Sequence, residues 1–209
     1  QHEAGAARAE VKAMVAYAGK RRGGAGGDAG RVERVRPVSF GCLGTAREMW
    51  TQAVAAVGSV YDVSSVRVVH TGFDGAGWCE GGAAYLRFAE RVVGHLDPFH
   101  ANRAVSRCFD ASHAGERLEA LSALYAGDAL SCADALETFA REGSARAAVV
   151  AEVAPYLRSH ASSIGVGGPS LGTMEPENQH VYQSRLSSVP CAWTRRGADA
   201  VARIRSRRA

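Results

Sequence analysis

Lysine is nearly missing from this sequence: only Lys12 and Lys20 stand among 25 basic residues, and the rest are arginines. A GC-rich coding sequence favours Arg codons and accounts for most of that ratio. The chemistry still follows, because a guanidinium grips phosphate oxygens in a bidentate way that an ammonium does not. Long apolar runs are missing too. No stretch approaches the roughly 18 residues that a membrane-spanning helix needs, and the polar start, Gln1 to Ala9, does not read as a secretory signal. The cysteines (42, 79, 108, 132 and 191) are odd in number and lack a C-x-x-C pair, which argues against a disulfide framework and a zinc ribbon and for a reducing cytosol. No internal repeat is found. What remains is ordinary for a folded chain: 209 residues, 46% hydrophobic and 22% charged, enough to bury a core and too apolar for global disorder.

The net charge is +4, and its distribution says more than its size. From position 185 onward there are seven arginines (185, 195, 196, 203, 205, 207 and 208) and a single acid, Asp199. Such a tail reads either as a polyanion contact or as a solvated face.

The periodicities predict strands over Val11 to Tyr17 and Arg31 to Phe40, the latter held to a sheet edge by Pro37, with a Gly- and Arg-rich loop from Lys20 to Gly30 between them. Thr45 and Glu48 form a capping box that opens a helix with Met49, Trp50, Ala53, Val54 and Val57 inward. Val63 to His70 predicts a buried strand that ends in a Phe73-Asp74-Gly75 turn. Glu80 to Val93 predicts a helix, His95 to Phe99 a short strand or turn, and 99–109 a helix. The Ala-rich stretch from about 114 to 160 predicts two or three helices, clearest over Asp128 to Glu142 and Ser144 to His160, with Pro155 kinking or dividing the second. Ser162 to Gly172 reads as a link, followed by a short helix over about 175–185 and a last helix over Thr194 to Arg207 with Ala198, Val201, Ala202 and Ile204 as its buried stripe. The order is that of an α/β core interrupted by a helical insertion.

Three places could carry chemistry. Asp74 follows a strand within a Gly-flanked turn, where a rigid scaffold presents a carboxylate to solvent; the plain alternative is an Asp-Gly turn. His95-Leu96-Asp97-Pro98-Phe99-His100 sets two imidazoles and a carboxylate within six residues, as a metal site would; equally, Asp97 caps a helix that Pro98 begins, and His100 packs. Glu175 opens a helix after the link, as a metal-binding carboxylate or as an acid favoured by the helix dipole. Widely separated carboxylates match two-metal phosphoryl transfer, and magnesium needs few of them because it keeps its waters.

Several blocks in order carry a family resemblance: Val11 to Gly19 (VKAMVAYAG), Phe73-Asp74-Gly75-Ala76-Gly77-Trp78 followed by Gly81, Leu96-Asp97-Pro98-Phe99-His100, then Met174-Glu175, Arg185-Leu186-Ser187-Ser188 and Trp193-Thr194-x-x-Gly197-Ala198. Over nearly its whole length the chain resembles the ISLre-type insertion-sequence transposases, relatives of the Mutator-like DDE transposases. The resemblance implies an RNase H-like core with a helical insertion before the last acid. It implies that Asp74 is the second catalytic Asp, that Glu175 is the third acid, and that Asp97-x-x-His100 is the C/D-x-x-H element of the Mutator-like group. Asp74 and Glu175 would hold Mg²⁺ or Mn²⁺ for DNA strand cleavage and transfer. The family's first Asp has no counterpart in these residues, so the RNase H-like core is expected to be incomplete at its N-terminus. The chain is therefore expected to be the C-terminal part of a transposase, inactive alone.

The expected division is a partial α/β core over 1–112, a helical insertion over 113–165 and C-terminal helices over 166–209. Arg195, Arg196, Arg203, Arg205 and Arg207 are expected at DNA phosphates, with Arg185 near the active-site side. Trp193 is expected beside Arg185 on the active-site side or, on its plain reading, in the core. Expected partners are DNA (transposon ends and target) and a second copy of the chain, with no membrane, in the bacterial cytoplasm at the nucleoid. Two other readings stay open: a DNA-binding remnant without catalysis, and a metal-dependent phosphoesterase built on His95, Asp97 and His100.

Overall fold

The computed structural model describes residues 10–22, 32–172, 182, 186 and 193–206. They divide into two compact units: one of residues 1–65 with 174–209, the other of 66–173. The chain is a mixed α/β protein of small sheets and helices, including a purely helical stretch.

In the first unit, β1 (Lys12–Ala16) pairs antiparallel with β4 (Val38–Cys42), and β2 (Gly19–Arg22) pairs antiparallel with β3 (Val32–Val35). The expected strand over 31–40 is thus two strands in two sheets. Arg36 between them has φ +52°, and Pro37 offers no N–H to continue a ladder. The Tyr61 hydroxyl donates to the Arg36 carbonyl and fixes this corner. Lys20, Arg21 and Arg22 do not begin a loop, because they lie within β2; residues 23–30 of that expected loop are outside the described residues. Helix α1 (Ala46–Gly58) begins as its capping box predicts. The Glu48 amide donates to Thr45 Oγ1 (3.2 Å), and the Thr45 amide donates to Glu48 (2.7 Å). Met49, Trp50 and Ala53 are buried on its inner face.

The last helix of this unit is α7 (Arg195–Ser206). Ala202 is buried and packs with Leu43, Tyr182 and Leu186, but Ile204 is 55% exposed and does not join the expected stripe. Trp193 is 46% exposed, which corrects its expected place in the core. Of the expected helix over about 175–185 only Tyr182 is among the described residues, and it is buried.

In the second unit, β5 (Val68–Phe73) and β6 (Arg91–Leu96) pair in parallel, with Phe73 opposite Leu96. The strand expected from Val63 starts five positions later. Asp62 takes the Ser64 amide (3.1 Å) and hydroxyl (2.6 Å), closing Val63–Ser65 into a 3-10 turn. β5 is half-buried rather than buried. The helix expected over Glu80 to Val93 is not formed. Gly81-Gly82 ends the short α2 (Gly77–Glu80), a 3-10 turn follows, and Val92 and Val93 enter β6, where a parallel partner suits β-branched side chains. The turn of sequence Tyr85, Phe88, Ala89, Val92 mimicked helical spacing without a continuous helix beneath it.

β6 ends at Leu96, Asp97 caps α3 (Pro98–Ser106), and Pro98 takes the first helical position as predicted. The helical stretch is α4 (Ala114–Tyr125), α5 (Ala129–Glu142) and α6 (Ala147–Ser159). α6 runs through Pro155 undivided, with that residue on the exposed side. Buried residues recur at helical spacing on α5 (Cys132, Ala133, Leu136, Phe139) and α6 (Val150, Val153, Ala154, Leu157) and share one core with Leu96, Ala101 and Val105. The turn between α4 and α5 is held by a close backbone approach: Gly127 has φ +82°, and a Cβ on Gly165 would lie 2.4 Å from its Cα. Among the described residues no helix is long and apolar enough to cross a membrane.

Candidate functional site

Asp74 and Asp97 each stand one residue past the end of a strand. Because Phe73 pairs with Leu96, the parallel register brings the two aspartates to the same carboxyl edge of the sheet. The Asp97 amide donates to the Phe73 carbonyl (2.8 Å), extending the ladder to the site itself. In open α/β sheets this edge is where ligands meet side chains held by a rigid scaffold.

Asp74 is exposed. Its Oδ1 accepts the Ala76 amide (3.0 Å), so the Asx-type turn that was its plain reading is present. Gly75 in that turn has φ +93°, and a Cβ there would lie 2.7 Å from the Tyr156 ring. The Tyr156 hydroxyl donates to the Asp74 carbonyl at 3.3 Å. Burial, and then the negative charge of Asp74, Asp97 and Glu80, push the Tyr156 phenol up to about 12, so it remains a proton donor at neutral pH.

Behind this turn sits His160, buried and edge-tilted against Tyr156, with ring centroids 4.5 Å apart. His160 Nδ1–H donates to the Tyr156 carbonyl (2.7 Å). Its Nε2 lies 2.6 Å from Glu80 Oε1, a contact that is not aligned as a hydrogen bond and is an ion pair only when the ring is protonated. Glu80 ends α2, six residues after Asp74, so the contact ties the loop carrying Asp74 to α6.

Asp97 Oδ1 accepts the Phe99 amide (2.9 Å), as a helix cap does. His100 is half-buried one turn along α3. Asp74, His100, Arg103, Ala104, Arg107, Glu152, Val153 and Tyr156 line a cleft of about 360 Å³. His95 turns elsewhere: its Nε2 lies 2.8 Å from His70 Nδ1 on β5, and partial burial and then the His70 charge lower its pKa. His95 is thus engaged with His70 and Asp97 with the Phe99 amide, while His100 lines the cleft. Among the described residues no three His, Cys, Asp or Glu side chains gather as a metal cage. One or two carboxylates with waters are enough for magnesium, and exposed Asp74, with only Oδ1 in its turn, fits that need.

The chain matches the uncharacterised protein family UPF0236 over residues 3–209. It belongs to that family. No curated protein and no solved structure matches it.

The remaining expected residues of this UPF0236 chain are placed as follows. Glu175, Arg185 and Arg207 lie outside the described residues. Arg195 and Arg196 are exposed at the start of α7, and Arg195 reaches the Leu43 carbonyl at 3.5 Å. Arg203 is held within the first unit: Nε donates to Asp199 (2.7 Å), Nη1 to Gln52, and the guanidinium lies over the Phe40 ring. Arg205 is half-buried. Glu80, His160, Tyr156, Arg103 and Arg107 were not singled out from sequence. The stripe of His100, Arg103 and Arg107 at helical spacing was the signal available for the last two.

Proposed function

We propose that this chain carries part of a DDE-type transposase site, in which Asp74 binds Mg²⁺ or Mn²⁺ and DNA strands are cleaved and joined. The observation that supports the reading is the placement of Asp74 beside Asp97 at the carboxyl edge of a parallel strand pair, opening on a cleft with basic side chains. The family resemblance in sequence supplies the reaction, and the RNase H-like core is part of this proposal. A water or 3′-hydroxyl oxygen attacks phosphorus and gives up its proton to solvent, the P–O3′ bond breaks, and the leaving 3′ oxygen takes a proton from solvent. Bound divalent metal supplies the positive charge that such a displacement needs. Asp74 would hold it. Asp97 keeps its capping bond and shapes the edge, while His100 faces the cleft as a polar contact. The Tyr156 hydroxyl holds the Asp74 carbonyl, and Glu80–His160 holds the loop.

The test compares the chain with Asp74→Asn. Mn²⁺ binding, read by titration calorimetry, should fall at least tenfold while affinity for duplex DNA persists. If DNA binding is lost and Mn²⁺ binding kept, Asp74 is not the metal acid. The remnant reading, DNA binding without metal, rests on exposed Arg195 and Arg196 and predicts no Mn²⁺ binding in either protein. The phosphoesterase reading would need His95, Asp97 and His100 to converge, and His95 is engaged with His70.

A further inference from the structure

We infer that Arg103 on α3, with Arg107 beside it, is a clamp for a DNA phosphodiester in the Asp74 cleft, an inference that rests on the transposase reading above. The positions His100, Arg103 and Arg107 are three and four apart, so they form one stripe along α3, while Ala101 and Val105 turn into the core. The stripe starts one turn from Asp97 and lines the same cleft of about 360 Å³ as Asp74 and Tyr156. Carboxylate and guanidinium thus face one cavity without being paired with each other.

The two arginines differ in what they already hold. Arg107 lies 3.5 Å from Glu152 across the cleft mouth. The Arg103 side chain is exposed and has no ion pair or hydrogen bond among the described residues. A cation left unpaired inside a cleft is available to an anion. Its planar fork matches two phosphate oxygens, which makes a phosphodiester the ligand of choice. Arg107 can join once phosphate displaces Glu152, an exposed pair that holds only weakly. By contrast Arg203, expected at phosphate from sequence, is already committed to Asp199 and Gln52.

The experiment is fluorescence anisotropy of a labelled DNA duplex with the full chain over a range of salt. Arg103→Ala should weaken binding severalfold and reduce the log–log salt slope by about 0.9, the value for one lost duplex phosphate. Arg117→Ala, an exposed arginine on α4 outside the cleft, is the control and should change neither. Glu152→Gln should tighten binding. Equal losses in Arg103→Ala and Arg117→Ala, or none in Arg103→Ala, overturn the clamp. So does a wild-type chain that binds no duplex. Inorganic phosphate that displaces DNA at constant ionic strength from the wild type but not from Arg103→Ala assigns the cleft to small phosphates and also overturns it. Circular dichroism of Arg103→Ala matching the wild type keeps the comparison on binding. The parent reading is judged separately by Mn²⁺ and Asp74→Asn: a clamp that fails leaves Asp74 as metal acid, and Mn²⁺ binding that ignores Asp74→Asn removes the parent whatever Arg103 does.

Discussion

His160 shows how one side chain serves a site it does not line. It is buried, gives its Nδ1 proton to a backbone carbonyl and sets Nε2 against Glu80. His160→Ala removes that hydrogen bond and leaves a gap beside Tyr156. It should lower stability by about 1–3 kcal/mol, measured by urea unfolding. An unchanged midpoint would mean the contact carries nothing. The Asp199–Arg203 pair makes a pH prediction. Partial burial would raise the Asp199 carboxyl, but the Arg203 and Leu43 hydrogen bonds and the Arg203 charge outweigh it and hold the pKa low. The folded state then binds fewer protons than the unfolded one. The contribution is complete above an ordinary carboxyl pKa of about 3.9 and is lost as pH falls through the lowered native value. Asp199→Asn should flatten that part of the acid stability curve, and an unaltered curve would contradict the assignment. The described cysteines are free thiols, and burial pushes Cys108 and Cys132 up to about 11, so both should resist alkylation in the native state.

Among elements, the pairing of α5 with α6 carries the second unit. Arg158 bridges these helices by bonding Asp134 (2.7 Å) and Glu137 (2.5 Å), but such partly exposed pairs contribute about 0–1 kcal/mol. Leu136 and Leu157 are fully buried at the same interface, and Leu→Ala at either should cost about 2–5 kcal/mol. Leu118, 64% exposed on α4, should tolerate alanine within about 0.5 kcal/mol. A larger loss at Leu118 than at Leu136 in thermal unfolding would refute this arrangement. The helices were legible because Leu136, Phe139, Val153 and Leu157 repeat at a helical period and because Thr45–Glu48 and Asp97–Pro98 are local stop-and-start chemistry. β6 was not, because the parallel partner that turns Val92 and Val93 into a strand is distant in sequence. The break at Arg36 was likewise invisible: only the neighbouring Tyr61 hydroxyl and the two separate sheets reveal it.

At the scale of the whole molecule, the site was legible in part. Asp74 was marked by its turn glycines and Asp97 by its proline. Their shared sheet edge depends on the Phe73–Leu96 register, which no local pattern states. Tyr156, 82 positions from Asp74, reaches it only through the folding of the helical stretch onto the sheet. The same folding brings Glu152 to Arg107 in the lining of the cleft. On the proposed reading this edge, and not the His70–His95 pair, holds the divalent metal. Metal-directed cleavage tests it most directly: the chain is loaded with Fe²⁺ in place of Mg²⁺, treated with ascorbate and peroxide, and its fragments are mapped by mass spectrometry. Backbone cuts beside Asp74 and Asp97 are expected, suppressed by excess Mg²⁺ and abolished by Asp74→Asn. Cuts centred on His70 and His95 that persist in Asp74→Asn would contradict it.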